Sequence, residues 1–169
     1  MIAKRLEEQF LKLYEDLAES VFRHCYFRLS DRDKAKDLMQ EAFTRTWEQL
    51  GKGAEIKNLK AFVYRVANNL IIDTYRKKKE SSLDAMQEEG FDPGIDEHES
   101  IMSMIAGREI IELLDGLDDK YRQVIVLRYV DDLAPREIAH IIGETENVVS
   151  VRLHRGLRQV RNLIKAEGK

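Results

Sequence analysis

Leu133 to Ile164 reads LAPREIAHIIGETENVVSVRLHRGLRQVRNLI, and its spacing predicts two helices joined by a tight turn. Pro135 suits a first helical position, and Glu137 falls in the first turn, where the helix dipole favours an acid. Ile138, Ile141 and Ile142 make a short apolar face. Ala139 precedes Gly143 by four residues, and Gly143 precedes Val149 by six. That order suits a helix-turn-helix: the alanine lets two helices cross closely, the glycine supplies a positive φ, and the valine anchors the second helix. Thr145 is the expected cap of that second helix. Along it Arg152, Arg155, Arg158 and Arg161 recur at three-residue steps, with Asn147 and Ser150 near its start. Arginines alone describe a solvated face as well as a binding one. Joined to the alanine–glycine–valine spacing, they point to DNA phosphates and base edges.

The rest of the chain is helical by the same test. Apolar residues recur at three- and four-residue spacing, with two prolines and no hairpin signals. Phe10, Leu13, Tyr14, Leu17 and Val21 form one stripe. After Ser30-Asp31, expected as helix caps, Leu38, Met39, Ala42, Phe43, Thr46 and Trp47 form another, stopped by Gly51-Lys52-Gly53. Phe62, Val63, Val66, Ala67, Leu70 and Ile71 form a third. Further on, Ile110, Leu113, Leu114 and Leu117 open a helix, and Tyr121 to Val130 form another. Within it Val124-Ile125-Val126-Leu127 is β-branched enough for a strand, but no partner strand is in view, so a helix is expected.

Charge divides the 169 residues into three parts. Residues 1–80 carry a local charge of +4, residues 81–105 hold seven acids with no Lys or Arg, and residues 106–169 balance. The middle part also contains Ser81-Ser82, Gly90, Pro93 and Gly94, a composition expected of a flexible acidic linker, with a polar helix followed by a turn at Asp92-Pro93-Gly94 as the alternative. The predicted architecture is all-α: two small helical domains, 1–80 and 106–169, joined by that linker at 81–105.

Several classes are excluded. No apolar run approaches the ~18 residues of a membrane span, and the first residues lack a secretory pattern, so a cytoplasmic protein without membrane insertion is expected. A single cysteine, Cys25, rules out a disulfide framework or a multi-cysteine metal cage. His24 beside Cys25 has no second pair at ligand spacing, His98 lies in the linker, and His140 and His154 fall on separate helices. No phosphate loop, nucleophile–base arrangement or catalytic acid pair is present. No cofactor, no metal and no enzymatic activity are expected. Asp118-Asp119 and Asp131-Asp132 read as helix-start caps.

Two further constellations carry chemistry. Arg76, Lys77, Lys78 and Lys79 end the third helix, with Lys60, Phe62, Tyr64, Arg65 and Tyr75 nearby. Basic charge follows a nucleic-acid backbone, and aromatic rings stack on unpaired bases; packing in a core or complementing the helix dipole accounts for the same residues. On the second helix Asp37, Gln40, Glu41, Thr44 and Glu48 project away from the apolar stripe. Such a face would repel DNA but could dock a basic helix, and an ordinary solvated face is the alternative.

In order and spacing these segments resemble bacterial sigma factors of the extracytoplasmic-function group, within the sigma-70 family. DKAKDLMQEAFTRTW is similar to that family's core-binding helix, whose Asp-x-x-Gln-Glu pattern before an aromatic falls here on Asp37, Gln40, Glu41 and Trp47. AFVYRVANNLIIDTYRKKK resembles the promoter-melting and −10-reading region, and the C-terminal helix-turn-helix the −35-reading domain, with Arg152-Leu153-His154-Arg155 kept. The resemblance implies a sigma-2-like bundle and a sigma-4-like domain that bind RNA polymerase core and direct it to promoters. By that implication Asp37, Gln40, Glu41 and Trp47 face the clamp helices of the polymerase β′ subunit. The loop from Gly51 to Asn58 shapes a pocket for a flipped base, lined in part by Asn69, with Phe62 and Tyr64 beside the melted strand. Lys60, Arg65, Arg76 and Lys77 complete the −10 set, and Asn147, Ser150, Arg152, Arg155 and Arg158 the −35 set. An anti-sigma partner is implied as well.

The chain departs from the pattern in places. Val148-Val149-Ser150-Val151-Arg152 stands where Thr-Val-Lys-Ser-Arg is common, Glu144 and Glu146 place acids near the expected phosphates, Phe62 replaces a tryptophan, Thr74 stands where a tyrosine is common, and Ala134 replaces a capping serine. An altered −35 preference is the expectation. Two other functions fit the same residues: a stand-alone helix-turn-helix regulator, which would bind duplex by itself, and a protein that occupies polymerase without initiating.

Overall fold

The computed structural model describes residues 1–79 and 109–167. The expected linker at 81–105 and His98 lie outside them. The chain divides into two compact units, with the boundary between residues 84 and 85. All regular structure among the described residues is helical.

The first unit is a three-helix bundle of α1 (Ile2–Leu29), α2 (Arg32–Gly51) and α3 (Leu59–Lys79). Ser30 ends α1 in the left-handed region at φ 53, its N–H donating to the Tyr26 carbonyl. Asp31 then caps α2 by accepting from the Lys34 N–H at 3.1 Å. Both expected caps are therefore used, one to stop a helix and one to start the next, and the two-residue corner makes α1 and α2 antiparallel neighbours. α2 ends at Lys52, and Gly53 takes φ 81. Asn58 starts α3, its side chain accepting from the Ala61 N–H at 3.0 Å. The core is Val21, Cys25, Ala35, Ala42, Phe43, Val63, Ala67 and Ile71, with polar members His24, Arg28, Thr46 and Asn68. Packing is uneven along α1. Its buried residues, Val21, His24, Cys25 and Arg28, all lie in the second half, whereas Ile2, Leu11 and Tyr14 in the first half are exposed.

The second unit holds α4 (Glu109–Asp115), α5 (Asp119–Ile125), α6 (Pro135–Ile142) and α7 (Glu146–Glu167). α7 is its spine, packing on α4, α5 and α6. The β-branched run continues α5 as expected, but Val126–Val130 widen into a π-helical turn. There the Asp131 N–H reaches the Val126 carbonyl at 3.0 Å, one residue further than an α-turn would. Asp131 and Asp132 were expected to start a helix; they end one instead. Asp131 closes the π-turn, and Asp132 takes φ 54 to redirect the chain. Asp118 does stand at the start of α5, yet without a side-chain cap bond; its carboxylate accepts from Gln159 of α7 at 3.1 Å.

Gly156 explains how α7 approaches α5. A Cβ there would stand 3.0 Å from Ile125 Cγ1 and 3.2 Å from Tyr121 Cβ. The hydrogen of glycine lets the two helices meet over a core of Tyr121, Val124, Ile125, Leu153, Leu157 and Val160. No described helix is long and apolar enough to cross a membrane.

Candidate functional site

Three sets of side chains face outward, two on the first unit and one on the second. On α2 the buried positions Ala35, Met39, Ala42, Phe43, Thr46 and Leu50 turn one side of the helix inward. Helical spacing therefore places Asp37 and Glu41, four residues apart, on the opposite crest, and both are exposed. Glu41 accepts from Arg45 Nε at 2.8 Å. That pair is half-exposed and contributes little to stability. Gln40 and Trp47 lie on the flank toward α1. With Phe10, Tyr14, Phe43 and Thr44 they line an open hollow of about 380 Å³. Trp47 keeps 39% of its surface exposed while its ring packs 5.0 Å from that of Phe10. The four residues thus form an acidic crest beside an aromatic hollow, suited to a partner helix that brings both basic and apolar side chains.

On α3 the inward positions Val63, Tyr64, Ala67, Asn68 and Ile71 are buried, which turns Phe62, Arg65, Asn69 and Arg76 to the other face at spacings of three, four and seven. Arg65, Asn69 and Arg76 are exposed and Phe62 is half-buried. Arg76 pairs with Asp73 at 3.3 Å. Lys60 and Lys77 are exposed near the two ends of the helix. Tyr64 is a correction: expected beside a melted strand, it is 1% exposed, its ring edge-to-face with His24 at 5.6 Å. Its position on α3 is inward, and the aromatic that reaches the outer face is Phe62.

The helix-turn-helix is built as its spacing predicts. Pro135 opens α6, and Gly143 closes it at φ 72 with its N–H on the Ala139 carbonyl. Thr145 Oγ1 accepts from the Val148 N–H at 3.2 Å, capping α7. Ala134 has no side chain to offer, but its N–H donates to Glu137 at 3.1 Å, which preserves one half of a capping box. Val149, Leu153, Gly156, Leu157 and Val160 bury one side of α7. Asn147, Ser150 and Arg158 are exposed, and Arg152, Arg155 and Arg161 are partly buried. Three-residue steps on a helix of 3.6 residues per turn slip by about 60° each, so the arginines slant around the outer surface rather than forming a straight row. Arg152 sits at the margin nearest the turn, where Nη2 donates to Glu144 at 3.4 Å.

Three structural residues had no part in the reading of the sequence. Arg28 and Asn68 join α1 to α3 by a buried hydrogen bond, a link between distant positions that spacing does not disclose. Gly156 carried a visible signal, since a glycine inside a helical pattern marks a close backbone approach.

The chain matches two family models in order: Sigma-70 region 2 over residues 13–81 and Sigma-70, region 4 over residues 107–160. It is 30% identical to the ECF RNA polymerase sigma factor SigW of Bacillus subtilis, over 98% of this chain and 97% of that one. It is 28% identical to the RNA polymerase sigma factor SigV of the same organism, covering 86% and 85%. Among solved structures, its fold is similar to the sigma factor RpoE of Bartonella quintana in complex with the anti-sigma factor NepR, with a TM-score of 0.72, 19% identity and coverage of 94% and 98%. It is equally similar to CnrH in complex with the cytosolic domain of CnrY, with a TM-score of 0.72, 18% identity and coverage of 98% and 96%.

Proposed function

We propose a function from one premise: the chain belongs to the sigma-70 family of RNA polymerase sigma factors, in its extracytoplasmic-function group. It binds RNA polymerase core and directs promoter-specific initiation of transcription. The observation that carries this is the relationship to SigW along 98% of the chain, with the two family regions in order.

The finer assignments follow from the exposed faces. Residues 1–80 form the unit for core binding, −10 recognition and melting, and residues 106–169 the unit for −35 recognition, with 81–105 between them as a linker. The crest of Asp37 and Glu41 and the hollow beside Gln40 and Trp47 receive the clamp helices of the β′ subunit. The outward face of α3 meets the non-template strand through Phe62, Arg65, Asn69 and Arg76, helped by Lys60 and Lys77. Asn147, Ser150, Arg152, Arg155 and Arg158 of α7 enter the major groove of the −35 element.

Melting on this scheme requires no catalytic group from the chain. A base captured in a pocket made by residues 51–58 and Asn69 is removed from the duplex equilibrium. Its binding must offset an unstacking cost of roughly a few kcal/mol. On this reading the protein works in the cytoplasm and is restrained by an anti-sigma factor, a reading supported by its likeness in fold to a sigma factor solved with such a partner.

Run-off transcription with bacterial core enzyme and a promoter library tests the proposal. Promoter-dependent transcripts that require the added chain are the expected result. Specific duplex binding by the chain alone, without core-dependent transcription, would instead identify a stand-alone regulator.

A further inference from the structure

The one ion pair described for Arg152 runs to Glu144, eight residues earlier and across the turn. Both ends of this pair have defined surroundings. The Glu144 backbone is pinned, because its N–H and that of Gly143 both donate to the Ala139 carbonyl. Immediately after it, Thr145 begins α7 through its own cap bond. The carboxylate therefore projects from a backbone fixed on both sides. Arg152 lies in the second turn of α7, with its side chain 24% exposed against 40% for Glu144. Position 148, one turn earlier on the same face of the helix, is a partly buried valine, so it offers no hydroxyl or amine to share the guanidinium.

An arginine reads guanine by presenting two parallel donors to O6 and N7. A free arginine on a helix surface must first lose its rotamer freedom to do so. Here Nη2 stands 3.4 Å from a Glu144 oxygen, a contact that biases the guanidinium toward one orientation and leaves its other donors available. The acid has an opposite effect on the phosphate backbone, since it neutralises a cation that would otherwise add to non-selective attraction. A pair of this kind exchanges general affinity for selection.

We propose that Glu144 is a positioning residue: it holds Arg152 in the orientation that reads one base of the −35 element and keeps it from serving as a phosphate contact. This rests on the −35 assignment made above. Glutamine at position 144 retains an acceptor oxygen for the guanidinium while losing the charge, whereas alanine loses both. The two variants therefore separate orientation from simple neutralisation.

The test uses the full chain bound to bacterial polymerase core and a duplex library randomised across the −35 element, at two salt concentrations, with thermal unfolding of each variant as a control. Wild type should favour guanine at one position by roughly fivefold or more, and Arg152→Ala should abolish that preference. Glu144→Gln should keep it. Glu144→Ala should lose it while binding unselected DNA more tightly, with a salt slope steeper by about 0.9 as the released cation turns to phosphate. Selection by Glu144→Ala equal to that of wild type overturns the proposal, as does loss of the preference in Glu144→Gln with unfolding unchanged. No change on Arg152→Ala also overturns it. A wild-type complex that selects no −35 sequence at all would instead refute the −35 assignment itself.

Discussion

Arg28 donates from Nη1 to Asn68 Oδ1 at 3.0 Å, a buried bond between residues 40 apart. The Tyr75 hydroxyl adds a second tie, donating to the Arg28 carbonyl. These bonds fix the rotation of α3 about its own axis against α1, and that rotation decides which of two adjacent asparagines faces out. Asn68 is inside and Asn69 is exposed.

Substituting the two asparagines should therefore give opposite results. Asn68→Leu removes the acceptor from a buried guanidinium and should destabilise the first unit by about 1.5–3 kcal/mol. Asn69→Ala should leave stability within about 0.5 kcal/mol but reduce open-complex formation on promoter DNA. Denaturant unfolding and permanganate footprinting of the melted strand distinguish them. A destabilised Asn69→Ala with normal melting would invert the assignment.

Trp47 combines exposure with a supporting contact on Phe10, the arrangement of an interface anchor. Trp47→Ala should weaken association with polymerase core by about 30-fold, the size of a hot-spot loss. Charge reversal by Asp37→Lys should weaken it further at low salt than at high salt. Competition for labelled core measures both. Unchanged affinity in the tryptophan variant would remove the hollow from the docking surface.

The incomplete cap at Ala134 offers a gain. Its N–H already bonds Glu137, so Ala134→Ser adds only the missing hydroxyl and should stabilise the second unit by about 0.5–2 kcal/mol. Thr145→Ala should cost a similar amount and loosen the start of α7. Thermal unfolding of the chain gives both signs, and a stabilising Thr145→Ala would contradict the cap.

Gly156→Val tests the close approach of α5 and α7. The new side chain meets Ile125 and Tyr121, and overpacking of this kind costs about 1–3 kcal/mol. Loss of −35 binding should accompany the fall in melting temperature. Normal stability would show that the helices have room to separate.

The helix-turn-helix was legible because its determinants are local. Proline, glycine and threonine act on backbone within four residues of themselves, and the structure uses Pro135, Gly143 and Thr145 as their spacing predicts. The outward face of α3 was only half legible. Composition places Phe62 and Tyr64 together, yet two residues along a helix turn through about 200°, which sends one ring out and the other in. Asp131 and Asp132 misled because an aspartate pair serves either end of a helix, and the π-turn before them is decided by packing. The pairing of Glu144 with Arg152 depends on how the turn brings two helices together, which neither helix encodes alone.

That π-turn has an evolutionary corollary. Its ring encloses one residue more than an ordinary helical turn, so the stretch Val126–Val130 carries slack in the chain's length. A single deletion there leaves a conventional helix with its ends still joined, whereas the same deletion inside α5 would rotate Tyr121 or Ile125 away from Gly156. Length variation among descendants of this chain should accumulate in those five residues before it reaches the helix they extend.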